Sequence, residues 1–215
     1  MSSLSVVRLA GAALALSAGL TVTGYVIHPA PDVSGFTTAA WLVSHLLLWL
    51  GAVAGVAGIA GLSFRQTKAT ARLGFIGGAL ATTSLVTLSG AYFAEALIVP
   101  AFTSQAPEVM ATFPSQATWG AYRAAVAGAG VVLGFGFLLL GIAMYRAALL
   151  PRWAIALSTV GALGAGVVFL LPRPVGMLAF AALGVGLVGL GYSLFGQHAE
   201  AESDVRIGPR DRAAG

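Results

Sequence analysis

Six stretches of about twenty apolar residues, joined by short polar turns, constrain this chain more than anything else in it, because a helix of that length crosses the roughly 30 Å hydrocarbon core of a bilayer. They cover about residues 9–27, 37–62, 73–98, 121–144, 153–171 and 175–195. Lipid offers no partner to a backbone N–H or C=O, so each stretch predicts a helix that satisfies its own backbone. The expected fold class is all-α, a polytopic membrane bundle of six transmembrane helices over residues 1–196. Composition agrees, since 58% hydrophobic and only 8% charged residues cannot clothe a soluble globule. The first stretch could instead be a cleavable signal sequence, with Arg8 before it and small residues at Ala13 and Ala15. Its apolar run continues through Leu20 to Ile27, longer than such a segment needs.

Basic residues orient the bundle. Arg8, then Arg65, Lys68 and Arg72, then Arg146 and Arg152, then Arg206, Arg210 and Arg212 fall on one side of a six-span threading; Arg123 and Arg173 fall on the other. Positive charge is retained in the cytoplasm, so both termini are predicted to be cytoplasmic. The same dispersion means that a net charge of +4 implies no nucleic-acid partner, because no basic patch forms. Residues 197–215 alternate acids and arginines with few bulky apolar side chains and predict a disordered cytoplasmic tail. The excess of Arg over Lys, with abundant Ala and Gly, resembles the product of a GC-rich bacterial genome. The expected location is a bacterial plasma (inner) membrane, with the lipid bilayer as the first partner.

The outer segment 99–120 is long for a structureless connection. Ser104, Pro107 and Glu108 have the chemistry of a helix start, so a short helix through about Phe113 is expected, with Phe102, Met110, Phe113 and Trp119 resting it on the membrane surface. Such a segment is an interfacial helix or a lid. Twenty-nine glycines let helices approach closely, and Gly51, Gly55, Gly130, Gly134 and Gly186 are expected to pack helices within one chain.

Ionisable groups near membrane spans are costly and need partners or a use, and here they gather on the outer side. His28 and Asp32 flank Pro29 and Pro31; His45 lies in the second span, Glu95 near the end of the third, and Arg123 near the start of the fourth. Trp41, His45 and Trp49 are spaced by four and share a helix face, while Tyr92 lies close to the face of Glu95. His45 is either a neutral imidazole bonded to a neighbour or a ligand or proton-handling group. Glu95 and Arg123 are either a structural ion pair or an anion-holding Arg beside a base. Arg173, between Pro172 and Pro174, reads as a snorkelling interface residue.

Cysteine is absent, which excludes thiolate chemistry and leaves His28, His45 and Glu95 as the only plausible metal set. A divalent metal there, or haem on His45, has no spacing motif behind it.

The order His28-Pro29, Asp32, Trp41-x-x-x-His45, a late acid in the third span, an Arg opening the fourth and Leu150-Pro151-Arg152-Trp153 opening the fifth is similar to a family of bacterial six-helix integral membrane proteins of unknown function. The resemblance covers about residues 8–195 and implies recurring identity for His28, Trp41 and His45, though no activity. Glu95 in place of the family's usual Asp, and a shorter stretch between His28 and Trp41, depart from that pattern.

The sequence thus predicts a binding or accessory membrane protein. It would have an outer polar pocket formed by His28, Asp32, Trp41, His45, Tyr92, Glu95 and Arg123 for a lipid headgroup, a small amphiphile or a partner membrane subunit. A haem- or metal-dependent redox protein and a small-solute transporter are the alternatives. No residue is marked as catalytic, and an enzyme is not favoured.

Overall fold

A computed structural model describes residues 3–63, 70–112 and 120–206. Its elements are α1 (Ser3–Ile27), α2 (Val33–Phe36), α3 (Ala39–Ser63), α4 (Ala71–Gln105), α5 (Pro107–Met110), α6 (Gly120–Ala147), α7 (Arg152–Gly166) and α8 (Arg173–Arg206), with a 3-10 turn at Val168–Leu170. No strand occurs among the described residues.

Six long helices close into a ring in the order α1, α3, α4, α6, α7, α8 and back to α1. Neighbours run antiparallel: Ser17 of α1 hydrogen-bonds Gly51 of α3, Ser84 of α4 hydrogen-bonds Ala129 of α6, and Tyr25 of α1 stacks on Phe180 of α8. The start of α1 and the end of α8 therefore lie at the same end of the bundle, here called the lower end. Arg8, Arg72, Arg146 and Arg152 also lie there, at the starts of α1, α4 and α7 and the end of α6.

Five of these helices, α1, α3, α4, α6 and α8, are long and apolar enough to cross a membrane. Their outward faces carry exposed Phe75, Val131, Leu178 and Tyr192 as freely as the interior carries Leu62, Leu140 and Leu190. A helix that is apolar on every side requires an apolar solvent, and the chain is a helical membrane-embedded protein.

Small residues set the helix spacing. A Cβ at Gly130 of α6 would lie 2.6 Å from the Gly166 carbonyl oxygen of α7, and one at Gly11 of α1 would lie 2.8 Å from the Gly191 carbonyl oxygen of α8. Both crossings are backbone against backbone, which only glycine permits. The expected intramolecular role of Gly51, Gly55, Gly130, Gly134 and Gly186 matches their close neighbours, which are Thr21, Leu85, Gly166, Leu163 and Ser158.

The structure departs from the expected boundaries in four places. α4 continues through Pro100 to Gln105 instead of ending near residue 98, so much of the expected 99–120 segment is a continuation of the span. Pro100 removes the N–H that would meet the Ala96 carbonyl, an interruption that membrane helices tolerate. The short outer helix does form, as α5, and ends earlier, at Met110.

Met110 does not rest on the membrane surface: it is buried with Phe36, Trp41 and Val99 in a small second core, because the lengthened α4 brings it over the end of α3. Phe102 is exposed as expected, while Phe113 and Trp119 lie outside the described residues.

The span expected at 153–171 is a shorter helix, α7, that tightens into the 3-10 turn where Gly166 meets Gly130. α8 extends to Arg206, so residues 197–206 of the expected disordered tail are helical. Gln197, Ala199, Glu200, Ala201 and Glu202 are good helix formers, and extending an existing helix costs far less than starting one. Residues 207–215 lie outside the described residues.

Candidate functional site

The ring encloses a chamber of about 430 Å³ that all six long helices line. Its lower walls are apolar, from Leu14, Ile59, Leu133, Phe137 and Leu187; its upper end is bounded by Tyr25, His28, His45, Tyr92, Glu95 and Arg173. Below it, Leu62, Leu140, Leu190 and Leu194 are fully buried and seal the bundle. A continuous polar path to the lower end, which a transporter needs, is not formed by these side chains.

The polar end is built from local geometry upward. His45 lies one helical turn after Trp41, which places its Nδ1 2.8 Å from the Trp41 carbonyl oxygen. A carbonyl only accepts, so Nδ1 carries the hydrogen and Nε2 is the free end of the neutral ring. That Nε2 lies 3.0 Å from Glu95 Oε2, with His45 1% and Glu95 17% exposed.

Two acceptors at this distance require a proton between them: His45 Nε2–H donates to a carboxylate, or a protonated Glu95 donates to Nε2. Either way the pair holds one shared proton and carries no net charge. Tyr122 of α6 donates its hydroxyl to Glu95 Oε1 at 2.8 Å, and Trp41 Nε1 donates to the Glu95 backbone carbonyl at 2.8 Å. α3, α4 and α6 are thereby tied together by a satisfied network, the form in which a buried polar cluster is stable.

His28 completes a cluster of rings, 4.8 Å from His45 and 5.1 Å from Trp41 between centroids. Its Nδ1 donates to the Pro29 carbonyl at 2.7 Å, which leaves Nε2 as an acceptor. Burial, followed by the field of His45, pushes the His28 imidazole below its ordinary value of 6.5, so this ring is neutral at pH 7. Arg173, the first residue of α8, donates to the His28 carbonyl at 2.7 Å and so spans from α8 to the end of α1.

Of the sequence candidates, the structure brings together His28, Trp41, His45, Tyr92 and Glu95. Asp32 is set apart: it is exposed and caps α2, accepting from the Gly35 amide at 2.9 Å and from the Ser34 hydroxyl at 2.5 Å. These bonds hold its carboxyl below the usual carboxylate range.

The alternative of a Glu95–Arg123 ion pair gives way to His45 and Tyr122 as the partners of Glu95. Arg123 is exposed and borders a second pocket of about 470 Å³ that shares Glu95, Val126, Ala127 and Phe169 with the chamber. Tyr25, Tyr122 and Arg173 were not among the candidates. Arg173, expected as a snorkelling interface residue, is exposed, and its guanidinium is bonded to the end of α1.

Among the described residues no group of three His, Asp or Glu side chains converges to hold a metal ion. The two ring nitrogens of His45 are engaged by the Trp41 carbonyl and by Glu95, so a haem on His45 would have to replace Glu95 at Nε2. Comparison with protein-family models, curated proteins and solved structures finds no match to this chain.

Proposed function

We propose that this chain is a six-span binding protein of a bacterial plasma membrane, with both termini cytoplasmic, whose chamber holds an amphiphile. The head would lie at the upper, outward end and the tail among the apolar walls. The observation that carries the reading is the chamber itself: about 430 Å³, within the ordinary range for small-molecule sites, lined by all six helices, polar at one end and apolar at the other.

The sixth crossing is supported by length, since α7 and the 3-10 turn together rise about 28 Å, close to the roughly 30 Å of a hydrocarbon core. The orientation is supported by the arginines at the lower end. The resemblance to a six-helix bacterial family agrees with this topology and adds no activity.

The His45–Glu95–Tyr122 network frames the head position, and the residues with bonding capacity left for a guest are His28, Tyr92 and Arg173. The test is native mass spectrometry with lipid extraction, elemental analysis and an absorption spectrum on detergent-purified protein. The expected result is one co-purifying amphiphile per chain, lost when Ala52, a buried chamber residue, is enlarged to Phe. A stoichiometric metal or haem band with no amphiphile refutes the proposal in favour of the redox reading.

A further inference from the structure

We propose that the chamber selects an amphiphile with an anionic head, and that Arg173 supplies the counter-charge. This deepens the amphiphile reading and depends on it.

The charge balance at the upper end comes first. Glu95 is neutralised within the protein by the proton it shares with His45, and His28 is neutral. Among the groups lining the chamber, the Arg173 guanidinium is left as the single formal charge, and it makes no ion pair among the described residues. One of its five N–H donors is used on the His28 carbonyl, which fixes the group at the chamber mouth and leaves the others for a second acceptor. A guanidinium held beside low-dielectric walls favours carboxylate or phosphate over a neutral head.

The second observation is independent of charge. Tyr92 lines the chamber, and its hydroxyl makes no hydrogen bond among the described residues; the same holds for Tyr25. Both hydroxyls open onto the chamber, so each can donate to an acceptor brought there by a guest. Two hydroxyl donors and a cation around one polar end describe a site for an oxyanion.

The tail follows from the chamber's depth. The lining runs from Tyr25 to Leu14 on α1 and from Arg173 to Leu187 on α8, which at about 1.5 Å per residue is roughly 16 to 21 Å. A saturated chain with bonds of about 1.5 Å advances roughly 1.3 Å per carbon, so the depth suits about 12 to 16 carbons.

The experiment measures binding of four probes to the full-length purified protein by native mass spectrometry: hexadecanoate, hexadecyl phosphate, hexadecanol and hexadecyltrimethylammonium. Dioleoylphosphatidylglycerol serves as a two-chain competitor. At least one anion is expected to bind tenfold or more tightly than the alcohol. The carboxylate and phosphate arms distinguish a free acid from a phosphate head.

Arg173→Gln is expected to weaken anion binding tenfold or more and abolish that preference, and Arg173→Lys to restore most of it. Equal binding of alcohol and anions, or a preference unmoved by Arg173→Gln, overturns the anionic assignment. Failure of all four probes and the competitor to bind overturns the amphiphile reading itself.

Discussion

Glu95 is the residue through which three helices are joined, and replacing it in two ways separates the hydrogen-bonding account from simple packing. In Glu95→Leu, His45 Nε2 loses its partner at 3.0 Å and the Tyr122 hydroxyl loses its acceptor at 2.8 Å. Each stranded polar group costs about 1–3 kcal/mol when buried. Partial access of water at Glu95, which is 17% exposed, brings the pair to about 2–4 kcal/mol.

Glu95→Gln keeps both bonds, because its side-chain carbonyl accepts from Tyr122 and its amide donates to the neutral Nε2 of His45. It is expected to cost about 1 kcal/mol, the loss of charge assistance. For a chain of this size about 1 kcal/mol corresponds to roughly 2–4 °C in Tm, so Leu lowers the melting temperature in detergent micelles by roughly 4–16 °C and Gln by a few degrees at most. Equal effects of Leu and Gln, or a Leu variant as stable as the parent, refute the shared-proton network.

Other outcomes follow from the same geometry. Gly130→Val places side-chain atoms against the Gly166 backbone and is expected to lower micellar stability by several kcal/mol or prevent folding, read by melting and by size exclusion. Ala148 adopts a left-handed backbone (φ 54°) at the end of α6, so Ala148→Gly is expected to raise stability by about 1 kcal/mol, measured as a higher Tm.

His28 titrates below 6.5 in the folded chain and near 6.5 in the unfolded one, so its contribution is intact above pH 6.5 and is lost as the pH falls through the folded value. Melting temperatures between about pH 7.5 and 5 should therefore fall with acidification, and less steeply in His28→Asn. Tyr92→Phe is expected to leave stability unchanged and to weaken anion binding severalfold, a contrast that a packing role for the hydroxyl would reverse.

The candidate site was only half legible in the chain. His45 could be placed on the inward face of α3 because Trp41 precedes it by one turn, and Glu95 could be placed at similar depth. Which residue of α6 meets Glu95 could not be read, because Tyr122 and Arg123 are adjacent and point about 100° apart, so a modest rotation of α6 exchanges them. Between two prolines Arg173 has the chemistry of an interface residue and it is exposed, but only the return of α8 to α1 puts it beside the His28 carbonyl. The capping role of Asp32 is a local effect that its position before Val33-Ser34-Gly35 could have signalled, and α2 is too short to show any periodicity.

The sequence alone determined that these segments are helices and where most of them begin and end, because in lipid an isolated stretch must satisfy its own backbone whatever surrounds it. It also gathered Arg8, Arg72, Arg146 and Arg152 at one end of the bundle. Tertiary structure decided the rest. Closing six helices into a ring, at separations set by backbone contacts such as Gly130 with Gly166, leaves a space in the middle instead of a filled core. Hydrophobicity does not choose between neighbours when lipid and helix are equally apolar, so pairing, rotation and the hollow depend on side-chain shape and on a few hydrogen bonds between distant residues.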